Sequence, residues 1–204
     1  MPFVLTVDQI QSRHQGDLVT EAIAQLSHVG AALGFVRTVG DEFQGLLDEP
    51  MSVATAILNL MRTASWHIGV GIGPVETPLP ADTRSARGAA FVTARIAVER
   101  AKQEPSHVSV VAAPPAEQDG HDAEVLLRLI AALWDRRSKP GWDAVDLVRK
   151  GLTISEAADQ LNITRQAVGQ RLQAAHWTVE RDAVPVLARL LARADQVATA
   201  DVDS

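Results

Sequence analysis

Two groups of residues in this 204-residue chain have the types and spacing to do chemistry. The first is a pair of aspartates. Asp8 closes the apolar run Phe3–Val7, which is rich in residues that suit a strand buried on both faces. A carboxylate at the tip of such a strand is costly unless something binds it. Asp41 lies in Gly40-Asp41, a tight-turn pair between the strand-like runs Phe35–Val39 and Glu42–Leu47. If these runs pair as central strands, the two carboxylates converge on one edge of a sheet. Their hard oxygens suit Mg²⁺ or Mn²⁺, held together with the phosphates of a nucleotide. Glu42 follows directly, although strand alternation points it away from Asp41. Plainer uses exist for the same residues: Gly-Asp is good turn chemistry, and Asp8 can cap the loop after its strand.

The second group lies in Leu152–Trp177, LTISEAADQLNITRQAVGQRLQAAHW. Thr153 or Ser155 can cap a short helix, with Glu156 placed as the carboxylate of a capping box. Ile154, Ala157, Ala158 and Leu161 share one face at helical spacing. Asn162 tolerates the left-handed conformation of a helix exit, and Ile163 plugs the turn. Thr164 then caps a second helix that buries Ala167, Val168, Leu172 and Ala175. Its other face carries Arg165, Gln166, Gln170, Arg171 and Gln173. Small alanines let two helices cross closely. Forked guanidiniums suit guanine and side-chain amides suit adenine in a major groove. The stretch resembles a helix-turn-helix with Thr164–Ala175 as recognition helix, in which Arg165, Gln166, Gln170 and Arg171 would read bases. Thr164 and either Arg149 or Lys150 would then contact phosphates. An ordinary helical hairpin with a polar outer face is the alternative.

Around these groups the chain alternates strand-like and helix-like segments. Helical periodicity covers Asp17–Leu33, Pro50–Ala64 and Ala86–Gln103, and Trp66–Ile72 and His107–Ala112 complete a set of five strands. Strand, helix, hairpin, helix, strand is a ferredoxin-like plan, here extended by one helix and one strand. Val111–Asp122, with Pro114-Pro115 and Gly120, predicts an exposed linker. The expected division is therefore an α+β domain over 1–113 and an all-α domain over 121–196. In the latter, Ala123–Arg137 is helical and Pro140-Gly141 breaks it. Trp142–Arg149 leads into the paired helices, Trp177–Arg181 forms a wing or turn, and Asp182–Gln196 closes the chain's helices.

Composition sets outer limits. Hydrophobic residues make up 47%, enough to bury a core, and the absence of cysteine excludes disulfides and thiolate metal sites. Neither a signal peptide nor a membrane-length apolar run is recognisable, so a cytoplasmic protein is expected. The net charge is -6. The deficit lies before residue 121 and in the tail, at Asp201 and Asp203; His121–Asp195 is nearly balanced. DNA affinity would therefore depend on local clusters, Arg136-Arg137 with Lys139 and Arg149-Lys150, and on a homodimer presenting two recognition helices. The six histidines show no metal-ligand spacing.

Several motifs together resemble the SatD family. They are the opening LTVDQIQSR, the run VGDEFQG over Val39–Gly45, and GVGIGPVETP followed by GAAFVTARIAVERAK. The resemblance covers about Phe3–Ala112. It implies a fold like the catalytic domain of class III nucleotide cyclases and diguanylate cyclases, in which Asp8 and Asp41 match the metal-binding aspartates. It also implies that Arg95 and Lys102, on the third helix, face bound phosphates. Two departures weigh against cyclase turnover: Val39 stands where diguanylate cyclases usually have a second glycine. Phe91 falls where nucleotide cyclases carry an asparagine. The sequence thus predicts a DNA-binding transcriptional regulator whose cyclase-like domain senses a nucleotide or mediates dimerisation. An Mg²⁺-dependent nucleotidyl-transfer or nucleotide-hydrolysing enzyme with a DNA-targeting module is the rival. A scaffold with degenerate sites is the third possibility.

Overall fold

The computed structural model describes residues 3–12 and 16–200; Arg13, His14, Asp201 and Asp203 lie outside them. The protein is mixed α+β and divides into two compact units. One comprises Met1–Arg128 with Val186–Ser204, the other Leu129–Pro185. The expected boundary at 113–121 is thus displaced. Residues 111–122 finish a strand, turn, and enter a helix, with Ala113 and Ala116 buried. Gly120 sits close against Ala112, where an added Cβ would meet the Ala112 Cβ at 2.9 Å. Proline and glycine mark a packed turn here, not a linker.

The first unit is built on a five-stranded sheet of order β2-β3-β1-β4-β5. Its strands are β1 (Phe3–Gln9), β2 (Leu33–Arg37), β3 (Glu42–Leu47), β4 (Trp66–Ile72) and β5 (Val108–Ala112). β1 runs antiparallel to both β3 and β4, β2 antiparallel to β3, and β5 parallel to β4. β1 is central, and its alternating side chains feed both faces. On one face Phe35, Phe43 and Trp66 form edge-to-face contacts with centroids 6.0 and 5.3 Å apart. Helices α1 (Val19–Gln25) and α2 (Pro50–Thr63) contact this part of the sheet. The helix expected over 17–33 is shorter, because Leu26–His28 tightens to a 3₁₀ turn and Leu33 already belongs to β2.

On the other face lies α3 (Ala89–Ala101), packed mainly on β4. Its alanines Ala90, Ala94, Ala97 and Ala101 are fully buried. The helix backbone at Ala90, Ala94 and Val98 comes so close to Gly69 and Gly71 that a side chain of any size there would overlap it. Small residues on both partners bring helix and strand into close contact. α4 (Glu117–Asp135) begins in this unit. Its buried Glu124 accepts hydrogen bonds from the Ser109 hydroxyl (2.7 Å) and from the outward Val110 N–H of edge strand β5 (2.8 Å).

The second unit contains α5 (Lys139–Arg149), α6 (Ile154–Leu161) and α7 (Arg165–Ala174), with the end of α4 and the start of α8 (Trp177–Thr199). Pro140 does not break a helix; it occupies the first turn of α5, which Ser138 caps. Trp177–Arg181 is neither wing nor turn but the opening of α8, a helix that tolerates Pro185 inside it. α6 starts with the predicted capping box, Thr153 and Glu156 bonding reciprocally. Asn162 ends it at φ 51°, and the Thr164 hydroxyl accepts the Ala167 N–H at 3.1 Å. Ala144, Ala157, Ala158 and Val168 form the core, with Leu147, Leu161, Ile163 and Leu172 packed against it. No helix among the described residues is long and apolar enough to cross a membrane.

Candidate functional site

The sheet pairing places a polar row at one end of the α3 face. Asp8 lies directly opposite Glu42 of β3 and His67 of β4 in the strand register. Directly paired residues share a face, so Glu42 stands beside Asp8. His107 precedes β5 next to His67, and the two imidazole Nδ1 atoms are 3.2 Å apart. Asp41 approaches from the hairpin, its backbone carbonyl accepting the Gln9 N–H at 3.3 Å.

α3 lowers its basic side chains onto this row. Arg95 bonds Glu42, which also accepts the Thr38 hydroxyl at 2.8 Å, and lies 3.5 Å from Glu99. Lys102 reaches Asp8 at 3.6 Å and Glu99 at 3.1 Å. Both cations expected to face phosphates are therefore at the row, and both are held by carboxylates. Burial raises the Asp8 carboxyl above the ordinary range and Asp41 and Glu42 push the same way, against the pull of Lys102. His67 moves downward, through burial first and then the neighbouring His107. An open groove of about 600 Å³ continues along α3 past Arg95, Glu99 and Gln103 to Ser109 and Glu124. Carboxylate oxygens are the right donors for Mg²⁺, and Asp41 is near enough to Asp8 to raise the cost of ionising Asp8. Among the described residues, no three acidic or imidazole side chains are grouped as a ready metal cage. Any ion here would need water or phosphate oxygens to complete its shell.

In the second unit, Thr164, Arg165, Gln166 and Gln170 are exposed along α7, with Arg171 half-buried beside them. Among the described residues, the side chains of Arg165, Gln166, Gln170 and Arg171 carry no hydrogen bond or ion pair. The other basic residues expected to touch phosphates differ. Arg137 is fully buried, donating to the Ala175 carbonyl (2.7 Å) and to Glu180 (2.5 Å). It lies over the Trp142 ring, 4.3 Å from its centroid. Arg149 bonds the other oxygen of Glu180 and lies over Trp134, whose indole N–H also donates to Glu180 at 2.8 Å. Arg137 and Arg149 are therefore structural cations, not free phosphate contacts.

The sequence missed two sets of residues. Glu180, in a segment expected to be a wing, shows no local sign of anchoring two arginines 31 and 43 positions away. The histidine pair is separated by 40 positions and shows no motif. Aligning β4 with β5 as parallel neighbours would have brought it together. No protein-family model, curated protein or solved structure matches the chain.

Proposed function

We propose that the protein is a DNA-binding regulator in which α6 and α7 form a helix-turn-helix and α7 enters the major groove. The observation that carries this is the contrast within the second unit. Arg137 and Arg149 are consumed by Glu180, whereas Arg165, Gln166, Gln170 and Arg171 stand along one helix without side-chain partners among the described residues. Capping box, left-handed Asn162 and apolar Ile163 give the tight turn that such a motif needs. Arg165, Gln166, Gln170 and Arg171 read base edges, with Thr164 and Lys150 at the backbone. A homodimer in the cytoplasm would present two such helices to half-sites one turn apart.

The first unit serves this regulator as a nucleotide-responsive module. Its strand order, with β3 between parallel β1 and β2 and β4 on the far side of β1, suits the ferredoxin-like, cyclase-type plan. Asp8 and Asp41 would hold Mg²⁺, which supplies positive charge to phosphate oxygens when bound. Such an ion would compensate Asp8 in place of Lys102, releasing the ammonium, with Arg95, to a phosphate. Phe91, in place of a ribose-orienting asparagine, favours sensing over turnover.

The test is selection of a binding site from random duplexes with the full chain, followed by titration of Arg165→Ala plus Arg171→Ala. Each lost base contact should cost about 1–3 kcal/mol, roughly five- to 150-fold, with relaxed preference at the contacted bases. Unchanged affinity and unchanged preference would remove the proposal.

A further inference from the structure

We propose that His67 and His107 form a ligand pair for a late transition-metal ion such as Zn²⁺, distinct in chemistry from the carboxylate site beside it. Two observations converge on the pair. The Nδ1 atoms face each other at 3.2 Å with the rings steeply inclined, at 70°. An ion about 2.0–2.1 Å from two imidazole nitrogens in tetrahedral geometry sets those nitrogens about 3.3 Å apart. The pair is thus already at ligating distance.

The second observation is the backbone. His107 is fixed at φ 53°, in the left-handed region, by its N–H on Glu104 (2.9 Å) and its carbonyl on the Ile68 N–H (2.8 Å). A residue held in that region by two backbone bonds presents its side chain in one direction, and such positions recur at functional sites.

Imidazole selects Zn²⁺, Cu²⁺, Ni²⁺ or Co²⁺ over Mg²⁺, which prefers the oxygens of Asp8 and Asp41. With two protein ligands, half of a tetrahedral shell stays open to water or an exogenous ligand.

The experiment uses the full chain stripped of metal. Co²⁺ is titrated while the visible absorption of tetrahedral cobalt is followed, and Zn²⁺ is then used to displace it. Wild type should develop the band and lose it to Zn²⁺. His67→Ala and His107→Asn should each weaken Co²⁺ binding by about tenfold or more. Asp41→Ala should leave it unchanged. A band that survives both histidine variants, or that disappears in Asp41→Ala, would assign the ion to the carboxylates and overturn the proposal. So would the absence of any band in wild type. Imidazole ¹⁵N spectra of wild-type protein give a reading independent of variant folding. Zn²⁺ must move the Nδ1 resonances of both residues, and shifts confined to other histidines would end the case.

Discussion

The polar row at the end of the sheet and the polar face of α7 hold similar side chains in opposite states. At the row each cation has found an anion: Arg95 has Glu42 and Glu99, and Lys102 has Asp8 and Glu99. On α7, Arg165 and Arg171 have found none among the described residues. The row is poised to exchange partners, since an arriving cation or phosphate replaces charges already in place. The helix face leaves its donors to solvent, where a ligand could meet them without displacing an internal partner. Composition alone does not separate these states; the packing around each charge does.

Glu180→Ala should produce the largest effect. It strands Arg137 without a counter-charge in a site where its side chain is 0% exposed. Removing one member of a buried ion cluster costs about 3–5 kcal/mol. A urea midpoint change equivalent to less than about 1 kcal/mol would show that Arg137 is no more committed than Arg165. Next comes Gly71→Ala, whose Cβ would overlap the α3 backbone at Ala90 and Ala94. Overpacking of this kind costs about 1–3 kcal/mol. It should also disturb the row by lifting Arg95 and Lys102, detectable as a weakening of any Mg²⁺- or nucleotide-induced stabilisation. A stable protein with an unaltered response would separate the row from the helix that covers it.

Asp8→Asn should have a smaller effect of opposite sign. The folded Asp8 carboxyl sits above its ordinary value of 3.8, so the folded state takes up its proton more readily than the unfolded state. Stability contributed by protonated Asp8 is complete below pH 3.8 and is lost as pH rises through the folded value. At neutral pH the ionised group is a net cost, so Asp8→Asn should raise the melting temperature slightly while abolishing any Mg²⁺-dependent shift. A drop in melting temperature would make the Lys102 pair structural and place the row in the same class as Arg137. Smallest of all, Arg165→Ala with Arg171→Ala should change stability by no more than about 0.5 kcal/mol, since neither side chain has a partner among the described residues. A larger loss would identify an internal role for α7's outer face.

Much of this was legible along the chain. Glu42–Leu47 and Trp66–Ile72 stand where their apolar and β-branched runs put them, and Thr153, Asn162 and Thr164 carry local capping chemistry that needs no distant partner. Pro114-Pro115, Gly120 and Pro140 misled because punctuation residues mark a turn or a helix start without saying whether it is solvent-exposed. Alternation sets Glu42 apart from Asp41, but only the register with β1 reveals that it faces Asp8. The fates of Arg137 and Arg149 depended on Glu180, and His67 depended on His107. Such pairings are made by tertiary packing and have no sequence period.

The carboxylate of Glu124 has a consequence for the protein's behaviour in a crowded solution. By occupying the outward amide of Val110, it ends the sheet at β5. A stray extended peptide seeking to grow the sheet would have to displace a charge-assisted bond and leave a buried anion without its donors. The same residue that supports an edge strand therefore acts as a stop against fibrillar stacking, protecting a strand whose sequence, Val-Ser-Val-Val-Ala, is otherwise well suited to self-association.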